Sequence, residues 1–158
     1  MSAGVLAPFD ARSISPVVSP FPAINLAVSV RAERRRLFQV LTVAEYMEAW
    51  LSIPGLSPGS RITVTSTPEH FRIDHFRSRE LDFTITGLYR TCRRSKLHFT
   101  WRKDSRHGSC SSAVAICLRG DFGRTILALT HAPFGSIADR AWHRDLWEAS
   151  LEKLCSLF

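Results

Sequence analysis

A chain of 158 residues, 45% of them hydrophobic and 22% charged, is one domain's worth and too apolar to remain disordered. The uncharged stretch from Ser13 to Val30 is broken by Pro16, Pro20 and Pro22, which excludes a bilayer-spanning helix there. The net charge of +7 raises the question of nucleic acid. The basic runs are short, however, and no exposed aromatics interleave with Arg34, Arg35 and Arg36 or with Arg90, Arg93 and Arg94, so they are read as a solvated face.

Residues 1–22 are rich in Ser, Pro and Ala without periodicity and are expected to form a flexible tail, leaving residues 23–158 as the domain. The start of the chain has no basic region of the secretory kind. Cys92, Cys110, Cys117 and Cys155 lie far apart with no CxxC pair, so no metal site and no cofactor is expected. They are read as reduced, mostly buried thiols of a cytoplasmic protein.

From Ile24 to Val30 apolar residues alternate with small or polar ones, the period of a half-buried strand. The period then changes: Leu37, Val40 and Leu41 fall at helical spacing behind Glu33, Arg34, Arg35 and Arg36. Thr42 stands three residues before Glu45, a capping-box pattern that predicts a second helix over 43–51 with Tyr46, Met47 and Trp50 inward. Pro54, Gly55, Pro58 and Gly59 end it.

Strand patterns then repeat from Arg61 to His131: Ile62 and Val64; Phe71, Ile73 and His75; Phe83, Ile85 and Gly87; Leu97, Phe99 and Trp101; 113–118; and 125–131. Gly120 and Gly123 suit the tight connection between the last two. Ser136, with Asp139 three residues on, opens a helix that runs to the C-terminus. Its stripe of Leu146, Trp147, Ser150, Leu151, Leu154, Leu157 and Phe158 has to bury against the sheet.

The order of elements, together with Leu41, Thr42 and Trp50, Gly87 and Tyr89, Leu97 to Trp101, Pro133 and Phe134, and His143, Trp147, Leu151 and Leu154, resembles START-like domains of the SRPBCC superfamily. The nearest resemblance is to the family around activators of the heat-shock-protein-90 ATPase. It implies an α+β helix-grip fold: a curved antiparallel sheet of about six strands, two short helices and a long C-terminal helix across it. It also implies a groove between that helix and the sheet, holding a hydrophobic small molecule, and a chaperone-related partner as a lesser expectation.

The groove walls would be Phe83, Ile85, Leu97, Phe99, Trp101, Leu127, Leu129, Trp142, Leu146 and Leu154, with His131 and His143 beside them. Such a wall suits an apolar ligand, and it equally suits a filled core, which Leu146 in particular favours. The two histidines stand near no HExxH, paired carboxylates or nucleophile motif, and are read as hydrogen-bonded residues at the mouth of the core. The expectation is a non-enzymatic binding domain. The alternative is a cyclase- or hydrolase-like enzyme using one of these histidines as acid or base.

Overall fold

The computed structural model describes residues 20–158. Most of the expected tail therefore lies outside the described residues. Seven strands, one more than about six, form a single antiparallel sheet: β1 (Ile24–Val30), β2 (Ser60–Ser66), β3 (His70–Arg77), β4 (Glu80–Arg93), β5 (Lys96–Ser105), β6 (Gly108–Asp121) and β7 (Arg124–Ala132). Their order is β1-β7-β6-β5-β4-β3-β2. Helices α1 (Arg34–Thr42) and α2 (Ala44–Trp50) join the two edge strands, and α3 (Ile137–Ser156) packs on the inside of the curl. This is the helix-grip architecture.

The alternation read from sequence is the alternation of the sheet. In β7 every second residue from Thr125 to His131 is buried and those between are exposed. On α3, Leu146, Trp147, Leu151 and Leu154 are each exposed by 3% or less. Burying a side chain of this size contributes about 1.5–3 kcal/mol. Ser150 belongs to the same face because its hydroxyl accepts the Ser52 amide at 2.9 Å, tying α3 to the segment after α2. Leu157, expected in the stripe, is instead 45% exposed, because the helix ends at Ser156 and the stripe loses its periodicity there.

Two local expectations are corrected. Thr42 does not cap α2: its hydroxyl donates to the Phe38 carbonyl at 2.8 Å inside α1, and the N-cap position is held by Val43 without a side-chain bond. At α3 the same signal holds, and the Ser136 hydroxyl accepts the Asp139 amide. The cysteines are free, but Cys92, Cys110 and Cys117 are exposed and Cys155 is half-buried. On β6, Cys117 alternates away from the buried Ile116 and Leu118, whereas Cys110 is exposed because it lies near the β5–β6 hairpin end, where residues 106–111 are all exposed.

Gly87 on β4 permits a close approach on the inside of the sheet. A Cβ there would collide with the Phe71 ring and stand 2.5 Å from the Thr100 carbonyl oxygen. Phe71 needs that space because its ring meets Tyr89, Phe99 and Trp101 at centroid distances of 5.7, 5.3 and 6.0 Å. Gly87→Ala is expected to cost about 1–3 kcal/mol through overpacking, read as a lower urea midpoint. An unchanged midpoint would mean that the aromatic cluster relaxes freely.

Candidate functional site

Strand alternation aims Phe71, Ile73, Tyr89, Leu97, Phe99, Trp101 and Ile116 at the concave face. Helices α1 and α2 and the residue after them bring Leu41, Met47, Trp50 and Leu51 over one end, and α3 brings Trp147. Where these side chains meet they leave an enclosed void of about 20 Å³. That is room for no more than one water, and a wall so apolar offers a water almost nothing to bond.

Outside this void lies a cleft of about 560 Å³ lined by Phe38, Thr42, Val43, Ala44, Glu45, Ser66, Thr67, Pro68, Tyr89 and Cys92. Its size is in the range of small-molecule sites. Tyr89 lines both spaces and so separates the open cleft from the closed void. Burial holds its phenol above the ordinary tyrosine range, with nearby Cys92 adding to the effect, so the ring stays neutral.

Of the twelve residues expected in the groove, eleven are buried and Trp142 is half-buried. Leu97, Phe99 and Trp101 border the void. Leu127, Leu129, Leu146 and Leu154, each exposed by 1% or less, belong to the packed core with Ile85. Phe83 and Trp142 meet edge to face at 5.5 Å toward the other end of α3, and the Lys103 ammonium lies 3.6 Å from the Trp142 ring centroid and 4.8 Å from that of Phe83. Burial lowers the Lys103 pKa, with Asp139 and other acidic neighbours opposing. Sequence reasoning missed the cleft itself. It noted Tyr89 only as a strand residue, and no local pattern links Val43 on a helix junction to Pro68 on a turn.

His131 and His143 lie deeper than the mouth of the core, at 0% and 1% exposure. Their rings stand 4.8 Å apart. The Trp147 indole N–H donates to His131 Nδ1 at 2.9 Å, and the Trp101 indole N–H donates to His143 Nε2 at 3.0 Å. An indole can only donate, so each imidazole must accept at that nitrogen and carry its proton on the other. His131 Nε2–H is then the donor to the Ser112 hydroxyl at 2.6 Å, and His143 Nδ1–H the donor to the Asp139 carbonyl at 2.8 Å. All four ring nitrogens are committed. Burial first and His143 second depress His131 to about 3 from the ordinary 6.5. Burial also depresses His143, against the opposing influence of Asp139.

Among the described residues no group of three or more His, Cys, Asp or Glu side chains is placed to hold a metal ion, and no helix is long and apolar enough to cross a membrane.

The family model described as Activator of Hsp90 ATPase homolog 1-like protein matches residues 31–158. No curated protein matches the sequence. Among solved structures, a protein from Chromobacterium violaceum superposes with a TM-score of 0.71 at 15% identity, over 85% of this chain and 96% of that one. The AHSA1 protein from Silicibacter pomeroyi gives 0.68 at 15% identity, over 86% and 96%. DynU16, from the dynemicin biosynthetic locus, gives 0.55 at 19% identity, over 87% of this chain and 47% of its own. At these identities the likeness is one of fold.

The buried imidazoles make stability depend on pH. Between about 3 and 6.5 the unfolded chain binds more protons at His131 than the folded chain does. The contribution is therefore complete above about pH 6.5 and is lost as pH falls toward 3, at up to about 1.4 kcal/mol per pH unit for this ring. His131→Asn keeps an acceptor for Trp147 but cannot titrate, and should flatten the fall of the urea midpoint between neutral and mildly acidic buffer. A slope as steep as the parent's would assign the acid sensitivity elsewhere.

Proposed function

Because the chain belongs to the Activator of Hsp90 ATPase homolog 1-like family, we propose that it is a binding domain for a small hydrophobic molecule, held in the cleft between α1, α2 and the adjoining ends of β2, β3 and β4. The observation that carries this reading is the position of Tyr89 between the 560 Å³ cleft and the closed void. A ligand resting on Phe38, Val43 and Pro68 would also lie against the Tyr89 ring, behind which the core leaves only about 20 Å³. In this reading the groove expected from sequence is packed core, and the ligand is held in the cleft outside it. Apolar contact supplies the affinity, while Thr42, Thr67 and Glu45 offer the few polar groups that orient a ligand.

The geometry argues against acid–base chemistry by His131 or His143. A general base needs a lone pair within reach of substrate, and here both imidazole lone pairs accept from indoles inside a packed core. Occurrence of the fold in a protein of the dynemicin biosynthetic locus is in keeping with a role beside small-molecule chemistry, and a holding role needs no catalytic group.

The test is a titration with N-phenyl-1-naphthylamine, an uncharged apolar probe. Saturable binding is expected, weakened about tenfold or more in Val43→Asp, since one buried charge opposes the whole apolar contact. Ile137→Ser, on the exposed start of α3, should leave it unchanged. Failure of the parent to saturate, or equal affinity in Val43→Asp, would sink the proposal.

A further inference from the structure

The connection between β6 and β7 is a two-residue turn in which Phe122 has φ 54° and Gly123 φ 78°. Two successive positive φ angles are those of a type I′ turn, whose first position favours Asn, Asp or Gly. A bulky aromatic there is strained, and strain of this kind concentrates at functional positions. Phe122 gains no packing in return, for it is 98% exposed at the tip of the hairpin.

Folding brings cations to the cleft beside this hairpin. Arg34 and Arg35 from α1, Arg94 from the β4–β5 turn and Arg124 from β7 border one shallow cleft of about 290 Å³ with Phe122, and Glu33 is the acidic side chain in its lining. Arg124 donates to the Ser29 hydroxyl at 3.0 Å. Arg34, Arg35 and Arg94 enter no ion pair among the described residues, so their charge is open to a partner. The residues apart in sequence thus form the aromatic and basic combination that the separate runs lack. Strand register places this cleft and the proposed ligand cleft at the same end of the sheet: Arg94 and Cys92 flank the end of β4, which pairs with the start of β5.

We propose that this end of the molecule docks on an anionic phospholipid surface, the arginines taking phosphate headgroups and Phe122 entering the interface. The shape favours a bilayer over a nucleic acid. A single ring projecting from a hairpin tip meets a flat surface at its apex, whereas a nucleic-acid strand needs a groove with several stacking rings. Positive charge near an anionic surface and an aromatic at its boundary act together, each adding to the same partition. The docking proposal stands without the ligand reading and needs only the charge and the turn.

The experiment is cosedimentation of the full chain with phosphatidylcholine vesicles and with vesicles of equal parts phosphatidylcholine and phosphatidylglycerol. Binding to the anionic vesicles alone is expected, weakening with salt. Arg34→Gln and Arg94→Gln should each lower the partition about fivefold at low salt. Phe122→Gly removes the ring and suits the positive φ, so the melting temperature should hold or rise while the partition falls about tenfold. Equal binding to neutral vesicles would overturn the proposal, as would an unchanged partition for Phe122→Gly. Release by excess inorganic phosphate at fixed ionic strength, or by a duplex oligonucleotide in preference to vesicles, would also overturn it by making another phosphate source the partner.

Discussion

Two indole N–H groups buried under α3 have to find acceptors, since a buried donor without a partner costs about 1–3 kcal/mol. They find them in a crossed pair: Trp147 on the helix donates to His131 on the sheet, and Trp101 on the sheet donates to His143 on the helix. Each bond crosses the space that would otherwise be a groove. Together they set the tautomer of both imidazoles and the height at which the helix rides over β5 and β7. The aliphatic side chains along α3 then fill what remains.

The shape of the candidate site follows from that seating. With the helix drawn down, the interior keeps only about 20 Å³ of space, and the opening lies where α1 and α2 meet the sheet ends. Gly87 contributes by letting Phe71 lie flat against β4, which brings Tyr89 and Phe99 into one aromatic cluster. Tyr89 is consequently the last core residue and the first residue of the cleft. Burial keeps the two imidazoles that accept these bonds neutral, and the crossed pair is satisfied only while they remain unprotonated.

At the cleft end the fold assembles features that its individual segments do not show. Short basic runs on α1 and the β4–β5 turn become one patch because antiparallel pairing folds the chain ends of β1, β4, β6 and β7 toward one another. An aromatic residue is set among them by a hairpin turn whose backbone disfavors it.

The sequence determined what periodicity can carry: the strands, the buried stripe of α3 through Leu154, the Ser136 cap and the order of elements that marks the family. These are local, because side-chain alternation and helical spacing are properties of consecutive residues. Its reading of Thr42 failed on a local ambiguity, since a hydroxyl at a helix junction can turn back to the preceding carbonyl as readily as cap the next helix. The depth of His131 and His143, the exposure of Cys110 and Cys117, the cleft at Tyr89 and the meeting of Phe122 with Arg34 and Arg94 were decided by tertiary structure alone. Each depends on which residues lie opposite one another after folding. Trp101 and His143 are separated by 42 positions, and no spacing rule reaches across a distance that only the packing of α3 closes.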